Sequence, residues 1–204
     1  MGMKKLFIGI CNSQNMVPAN FFWSIVQLRS PIPVQFARGA HSWSAIRNNY
    51  LIDLFLKSDC DYYVKMDIDQ MYPADYFYKM VPLIEKYKII GPLIFDRWPT
   101  GNFLPLVNWA EGEVFDVKSA SGIMEVPYYH TNCFFHREAL EAVEPPYYEF
   151  HMDPSGLKRS RHGDIDVMMK FVKAGYKIYA NLDVVVSHLA EVPIDKEAYE
   201  RWNR

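Results

Sequence analysis

The chain has 204 residues and a formal net charge of −2 at pH 7. Half of its residues are hydrophobic and 16% are aromatic, which supplies a full core and excludes a disordered chain. The balanced charge excludes a general attraction to nucleic acid or to anionic lipid. We therefore expect one globular domain.

Three cysteines, Cys11, Cys60 and Cys133, are too few and too widely spaced for a disulfide framework or a zinc ribbon, and they favour a reducing compartment. The apolar run at 6–11 is too short for a signal peptide. The sequence has no apolar window of about 18 residues, the length that a membrane helix needs. We expect a cytoplasmic protein with no integral membrane segment.

Strands and helices alternate over the first part of the chain. Apolar runs predict strands at 5–11, 34–37, 62–69 and 88–91, and amphipathic patterns predict helices at 21–28, 42–57 and 77–84, the last interrupted at Pro82. This alternation predicts a layered α/β fold with a largely parallel sheet. In the second helix, Trp43, Ile46, Tyr50, Leu54 and Lys57 recur at three- and four-residue steps, with Leu51 and Phe55 alongside, so we expect this side of the helix to face the core.

The pattern weakens between 95 and 122, where glycine and proline punctuate short apolar pieces and 113–117 alternates like an edge strand. Such a loop-rich insertion is a usual place for a binding surface. Regular patterns then return. They predict a strand at 131–135, helices at 137–143 and 164–174, the latter closed by Gly175, and strands at 176–180 and 183–188.

The stretch from Tyr62 to Gln70 carries the most informative chemistry. An apolar strand ends there with two carboxylates, Asp67 and Asp69, which point the same way if the backbone stays extended. Converging carboxylates are costly unless a cation or a proton lies between them, and Mg²⁺ binds one or two carboxylates together with phosphate oxygens. The stretch therefore predicts a metal–diphosphate site, with a strand-ending turn as the alternative.

In open α/β sheets, ligands bind at the carboxyl ends of the strands. Asn12 follows the first predicted strand and His188 closes the last one. A neutral imidazole beside carboxylates favours Mn²⁺ over Mg²⁺, although a histidine that ends a strand is also commonly just hydrogen-bonded. Arg47 flanks the predicted buried face of its helix, where it could reach a phosphate or form a surface ion pair.

Two aspartates open the helix at 164–174. Asp164 shares a helix face with apolar Val167 and Met168 and is predicted to point inward, whereas Asp166 lies on the mostly outward face. An inward carboxylate at the start of a helix is kept ionised by the helix dipole, which suits a base or an anionic stabiliser. The alternative is an N-cap aspartate with no chemical role.

Taken in order, these stretches resemble the glycosyltransferases of the GT-A fold, particularly small family-2-like members of bacteria and phages. The segments that carry the resemblance are Ala45–Asn49, Val64–Pro73, His130–Leu140, Pro146–Tyr148, Gly163–Ile178 and Asp183–His188. The resemblance implies a three-layer α/β/α, Rossmann-like domain with a mostly parallel central sheet and a smaller antiparallel acceptor-side region. It implies a single domain with a nucleotide-sugar-binding half at about 1–95, an acceptor and catalytic half at about 96–190, and a tail at 191–204.

The resemblance also implies a metal-dependent transfer of sugar from a UDP- or GDP-sugar to a carbohydrate or other hydroxyl acceptor. Asp69 would ligate Mn²⁺ or Mg²⁺ held by the donor diphosphate, and His188 would complete the metal site. Asp67 would bind the ribose or support the metal, and Arg47 and Asn12 would hold the nucleotide side.

On the acceptor side, the resemblance makes Asp164 the general base that deprotonates the acceptor hydroxyl if the enzyme inverts. Gly163 replaces the glutamate that this family usually has before that aspartate, and Gln70 stands where a third acid sometimes occurs. Thr131 and Cys133 stand where the family often has small residues such as glycine, which narrows the acceptor loop. The second predicted strand lacks the acidic end that often reads uracil, which leaves the nucleobase open.

Two other functions remain compatible with these residues. Nucleotidyltransferases and pyrophosphorylases also pair carboxylates with a metal, but they usually need a glycine-rich basic loop after the first strand, and residues 12–19 contain neither glycine nor lysine. A non-catalytic carbohydrate-binding protein would use the aromatic residues at 98–109 and 147–150, and it would bind sugar without metal or nucleotide.

Overall fold

A computed structural model describes residues 2–95, 107–108, 120–129, 132–156, 159–161 and 163–190. The helices are α1 (Ala19–Gln27), α2 (Ser44–Lys57), α3 (Tyr76–Tyr87), α4 (Arg137–Glu141) and α5 (Gly163–Lys173). The strands are β1 (Leu6–Cys11), β2 (Val34–Gly39), β3 (Tyr62–Asp67), β4 (Gln70–Met71), β5 (Ile89–Ile94), β6 (Val107–Asn108), β7 (Ile123–Val126), β8 (Tyr128–Tyr129), β9 (Phe134–His136), β10 (His151–Met152), β11 (Arg159–Arg161) and β12 (Ile178–His188). The predicted edge strand at 113–117, Thr131, the aromatic residue Trp98 and the tail at 191–204 lie outside the described residues.

The central sheet has the strand order β2-β1-β3-β9-β5-β12-β4, with β7 also paired to β12. β1 pairs in parallel with β2 and β3, and β5 pairs in parallel with β12. β9 runs antiparallel between β3 and β5, and β4 and β7 run antiparallel to β12. The predicted α/β fold with a mostly parallel sheet is therefore confirmed.

Helices cover both faces of this sheet, because side chains of a strand alternate between the faces. On one face, Phe55 of α2 and Phe171 of α5 pack with Tyr63 of β3. On the other face, Phe77 of α3 packs with Val64 of β3. Each fully buried side chain of this kind contributes about 1.5–3 kcal/mol relative to an exposed one. In the part of the chain that the structure describes, no helix has both the length and the apolarity to cross a membrane.

Helix α3 is continuous through Pro82, so the predicted interruption there is wrong. Proline removes one backbone N–H donor from a helix interior. Met80, Val81 and Ile84 are buried on either side of Pro82 and hold the helix against the sheet. The packing of these apolar side chains outweighs the lost hydrogen bond.

The last sheet strand is also longer than predicted. The expected strands at 176–180 and 183–188 form the single strand β12, and its pairing with β5 is irregular between Asn181 and Val185. The side-chain oxygen of Asn181 accepts a hydrogen bond from the Asp183 backbone N–H at 3.1 Å. Such an irregularity lets a strand continue while its pairing shifts.

The face that α2 presents to the sheet differs in part from the prediction, because Leu51 and Phe55 are buried but the other residues predicted to face the core are not. Trp43 is 62% exposed, and Ile46 and Tyr50 are about half exposed. The buried residues of α2 are Asn48, Leu51, Ile52 and Phe55. The helix carries apolar side chains on two faces, so the spacing of these side chains does not identify the buried face.

Candidate active site

Three parallel strands end at one level of the sheet. Cys11 at the end of β1 is in register with Gly39 of β2 and with Asp67 of β3. A Cβ atom added to Gly39 would lie 2.5 Å from Cγ of Arg47. The glycine therefore allows α2 to approach the strand ends, and it brings Arg47 to the same edge as Asp67.

A cleft of about 200 Å³ opens beside these strand ends, between α2, the segment 148–150 and the start of α5. Arg47, Lys65, Asp67 and Asp164 all line it. The structure thus brings together three predicted site residues, Arg47, Asp67 and Asp164. It adds Lys65, which the sequence did not indicate.

Asn49 fixes one wall of this cleft. Its side-chain nitrogen donates to the Tyr148 carbonyl at 2.8 Å, and its side-chain oxygen accepts from the Tyr148 N–H at 2.9 Å. This two-point contact ties the segment 148–150 to α2. Gly163 allows the first turn of α5 to lie against the same segment, because an added Cβ would stand 3.3 Å from the Glu149 carbonyl oxygen. The glycine at this position therefore has a packing reason.

Lys65 joins the two aspartates of the cleft. Its side chain is buried, with Nζ 3.0 Å from Oδ1 of Asp164 and 3.4 Å from Oδ2 of Asp67. Burial alone lowers the pKa of Lys65, but the Asp164 and Asp67 carboxylates outweigh burial and raise that pKa above its usual range. Lys65 is therefore a fixed positive charge between the predicted ribose-side and acceptor-side carboxylates.

Asp69 faces His188 rather than Asp67. The backbone turns at Ile68 and Asp69 instead of staying extended, so the condition under which Asp67 and Asp69 point the same way is not met. β4 follows the turn and pairs with the end of β12, which sets Gln70 opposite His188. Oδ2 of Asp69 lies 3.5 Å from Nε2 of His188.

His188 is oriented as a metal ligand would be. Its Nδ1 lies 2.9 Å from the Phe95 carbonyl oxygen, and a proton on Nδ1 donates to that oxygen. The Nε2 lone pair is then directed to the Asp69 side, as in metal sites where the second ring nitrogen bonds a backbone carbonyl. One carboxylate and one imidazole suit Mn²⁺ or Mg²⁺ whose remaining ligands are diphosphate oxygens.

Asp67 does not join this pair as a third ligand in the structure. Across the described residues, no group of three or more His, Cys, Asp and Glu side chains converges as a metal site. With its amide nitrogen facing Asp67, Asn132 donates to Oδ2 of Asp67 at 3.0 Å, while its oxygen accepts from the Tyr72 hydroxyl at 2.8 Å. The Tyr72 hydroxyl also accepts from the Asp67 backbone N–H at 3.1 Å. A buried polar network thus orients Asp67 toward Lys65.

Asn12 lies at the end of β1 as predicted, but its side chain closes a local turn. Its oxygen accepts from the Gln14 N–H at 2.8 Å, and its carbonyl accepts from Nε of Arg38 at 3.1 Å. Arg47 donates from Nη1 to the His41 carbonyl at 3.0 Å, and its Nε is buried without a hydrogen-bond partner among the described residues. Of the two, Arg47 is the one that lines the cleft.

The prediction for Asp166 is wrong. This residue is 3% exposed, not outward-facing. Nε2 of His151 lies 3.2 Å from its Oδ2, and Glu149 lies between His151 and Lys170, with a 2.8 Å ion pair to the lysine. The segment 149–151 covers this side of α5, which a helical pattern cannot reveal.

No protein-family model matches the sequence, and no curated protein matches it either. Solved structures do match it. A197 from STIV aligns with a TM-score of 0.60 and 18% identity, over 93% of this chain and 87% of A197. GalNAc-T7, solved with UDP, GalNAc and Mn²⁺, aligns with a TM-score of 0.57 and 10% identity, over 93% of this chain and 44% of that chain.

The chain has the GT-A fold. The chain spans less than half of the GalNAc-T7 chain, and at these identities the likeness is one of fold. In this GT-A domain, α2 and the end of β3 form one side of the cleft, and the segment 148–150 and the start of α5 form the other.

Proposed function

We propose that the chain is a glycosyltransferase that moves a sugar from a nucleotide-sugar donor to an acceptor hydroxyl, with a divalent metal at Asp69 and His188. The observation that carries the proposal is the Asp69–His188 pair, whose 3.5 Å separation comes from pairing β4 with the end of β12. The binding of UDP, GalNAc and Mn²⁺ by GalNAc-T7, which shares the fold, supports this class of ligand.

On the donor side, the metal bound to Asp69 and His188 would offset the negative charge that develops on the departing nucleoside diphosphate. Arg47 lines the cleft, and its guanidinium group suits a phosphate or another anionic group. Asp67, held by Lys65 and Asn132, lines the cleft where the ribose would lie.

On the acceptor side, Asp164 is the proposed general base. Lys65 holds its Oδ1 at 3.0 Å, which leaves Oδ2 to accept the proton of the attacking hydroxyl. In an inverting transfer, that hydroxyl oxygen bonds to the anomeric carbon while the bond from that carbon to the diphosphate oxygen breaks. The proton ends on Asp164, and Lys65 stabilises the carboxylate before the transfer.

The first prediction is that Asp69→Ala abolishes donor turnover. The purified protein should hydrolyse one member of a UDP- and GDP-sugar panel slowly in the presence of Mn²⁺, measured by mass spectrometry of the released nucleotide. Asp69→Ala should lower this rate by at least about 100-fold, because the proposed metal loses its carboxylate ligand. Asp75→Ala removes an exposed aspartate that pairs with Lys79, and it serves as the matched control.

Turnover that persists in EDTA, or in Asp69→Ala, would rule out the metal-dependent mechanism. Release of pyrophosphate from nucleoside triphosphates in the same assay would instead favour a nucleotidyltransferase. Binding of sugar with no turnover of any donor would favour a carbohydrate-binding protein.

A further inference from the structure

Two aromatic rings from different segments stand exposed at the mouth of the cleft. Trp43 directly precedes α2 and is 62% exposed, and Phe150 follows the segment held by Asn49 and is 49% exposed. Their ring centroids are 5.8 Å apart with an interplanar angle of 45°. We call this pair the aromatic shelf. The two rings give the mouth of the cleft an exposed apolar surface, a feature of many ligand-binding grooves.

The aromatic shelf is continuous with the cleft. A second cavity, of about 270 Å³, is formed by residues 42–45 and Phe150. Ser44, Ala45 and Phe150 line both this cavity and the cleft that contains Asp164. A ligand group that reaches Asp164 can therefore extend onto the shelf without leaving the protein surface.

Hydrogen bonds hold both sides of the shelf in place. The Trp43 N–H donates to Nδ1 of His41 at 3.1 Å, and the Trp43 carbonyl accepts from the Arg47 N–H at 3.0 Å. On the Phe150 side, Asn49 makes its two contacts with the Tyr148 backbone. These hydrogen bonds restrain the backbone that carries both rings, which lowers the entropic cost of binding a ligand against them.

We propose that the aromatic shelf binds a sugar ring of the acceptor, next to the hydroxyl that Asp164 deprotonates. This inference rests on the proposed function for the direction in which the acceptor lies. A pyranose ring has an apolar C–H face and a rim of hydroxyl groups. The shelf offers apolar ring faces, and the hydroxyl groups of Ser42 and Ser44 lie at its margin.

The lining of the second cavity also argues against the donor as its occupant. Its residues are serine, tryptophan, alanine and phenylalanine, without a charged side chain among the described lining residues. A diphosphate needs cationic or metal partners, and these lie at Arg47 and at the proposed metal pair. Ser42 and Ser44 in the lining favour a sugar ring, whose hydroxyl groups can hydrogen-bond with serine, over a lipid chain, which cannot.

The test is direct binding without donor, nucleotide or metal. The probes are four neutral trisaccharides: β-1,4-linked glucose, β-1,4-linked N-acetylglucosamine, α-1,4-linked glucose and α-1,6-linked mannose. Saturation-transfer NMR and calorimetry should detect binding of at least one of them. Trp43→Ala and Phe150→Ala should each weaken that binding about tenfold, and Trp43→Phe should retain most of it.

Trp23→Ala is the matched control. Trp23 is 60% exposed and packs edge-to-face on Phe22 in α1, so its removal changes the exposed aromatic surface at a site outside the shelf. Binding by Trp23→Ala should stay within about twofold of the wild type. Circular dichroism and the thermal midpoint of each variant establish that it is folded.

Three results would overturn the proposal. The first is a wild type that binds none of the trisaccharides. The second is trisaccharide binding that Trp43→Ala and Phe150→Ala leave unchanged, and the third is loss of uridine or guanosine binding in these variants. The outcome is separable from the Asp69→Ala experiment. If trisaccharides bind at the aromatic shelf but no donor is turned over, the proposed function is wrong and the shelf proposal stands. If a donor is turned over but trisaccharide binding does not depend on Trp43 and Phe150, the shelf proposal is wrong and the proposed function stands.

Discussion

Lys65 controls the charge of the cleft. Among the described residues, it is the one lysine or arginine that is buried, with 4% of its surface exposed. A buried ammonium ion without partners costs several kcal/mol, and here two carboxylates, Asp67 and Asp164, compensate for that cost. The three groups together leave one negative charge at the centre of the cleft. Removal of the lysine would leave two.

The second prediction therefore concerns Lys65→Met. The variant should lower kcat about 100-fold, because Asp164 loses the ammonium group that holds its Oδ1. Lys65→Arg, which keeps the charge, should recover part of the loss, and KM for the donor should change less than kcat. Lys57→Met removes an exposed lysine paired with Asp53 and is the control. A Lys65→Met enzyme with the wild-type kcat would contradict this role.

The sequence indicates the other charged groups of the site more clearly than it indicates Lys65. Asp67, Asp69 and His188 follow apolar runs, and the carboxyl ends of strands are where an α/β sheet binds ligands. Lys65 lies inside such a run. The sequence feature that could have identified it as a site residue is its two-residue spacing from Asp67, which sets both side chains on one face of β3. Its second partner, Asp164, comes from a distant helix, and only the fold reveals that contact.

At the scale of elements, α2 shows where periodicity misleads. Leu51 and Phe55 pack on the sheet, whereas Trp43, Ile46 and Tyr50 form a second apolar stripe that stays about half exposed or more. A helix that is apolar on one face alone has an unambiguous orientation, but a helix with two apolar stripes does not. The existence and approximate limits of α2 were therefore predictable, while the choice of its buried face was not.

Glu85 attaches α3 to the sheet and gives a third prediction, on acid stability. Its carboxylate accepts from the Tyr62 hydroxyl at 2.6 Å, and Nζ of Lys4 lies 3.2 Å away. The Tyr62 hydrogen bond, assisted by Lys4 and His136 and opposed by partial burial, lowers the pKa of Glu85 from 4.5 to about 2. The resulting stabilisation is complete above pH 4.5 and is lost as the pH falls toward about 2.

Glu85→Gln should therefore lower the free energy of unfolding at neutral pH and flatten its dependence on pH between 4.5 and about 2. Because the Glu85 side chain is 51% exposed, solvent screening limits the loss to about 1 kcal/mol. Urea unfolding across this pH range measures it. Glu141→Gln, at a carboxylate of similar exposure, is the matched control. If the free energy of unfolding falls equally with pH in Glu85→Gln and in the wild type, the prediction is contradicted.

At the scale of the whole molecule, strands from both halves of the chain are interleaved in one sheet. β9 belongs to the second half of the chain but lies between β3 and β5 of the first half. Directly after it, Arg137 donates to the carbonyl groups of Phe55, Leu56, Ser58 and Cys60. The order of the motifs predicted the fold, but an antiparallel strand inserted between parallel ones has no local signal in the sequence.

This insertion predicts that residues 1–95 do not fold alone. Without β9, the facing edges of β3 and β5 lose their common partner, and the apolar contacts of Phe134 and Phe135 with both helix layers are absent. The fragment expressed alone should lack the dispersed amide spectrum of a folded protein, and mixing it with the fragment 96–204 should restore that spectrum. Unfolding of the intact chain, followed by fluorescence and by circular dichroism, should give coincident curves. A folded, monomeric 1–95 fragment would contradict the prediction, because it would show that this part of the sheet is stable without β9.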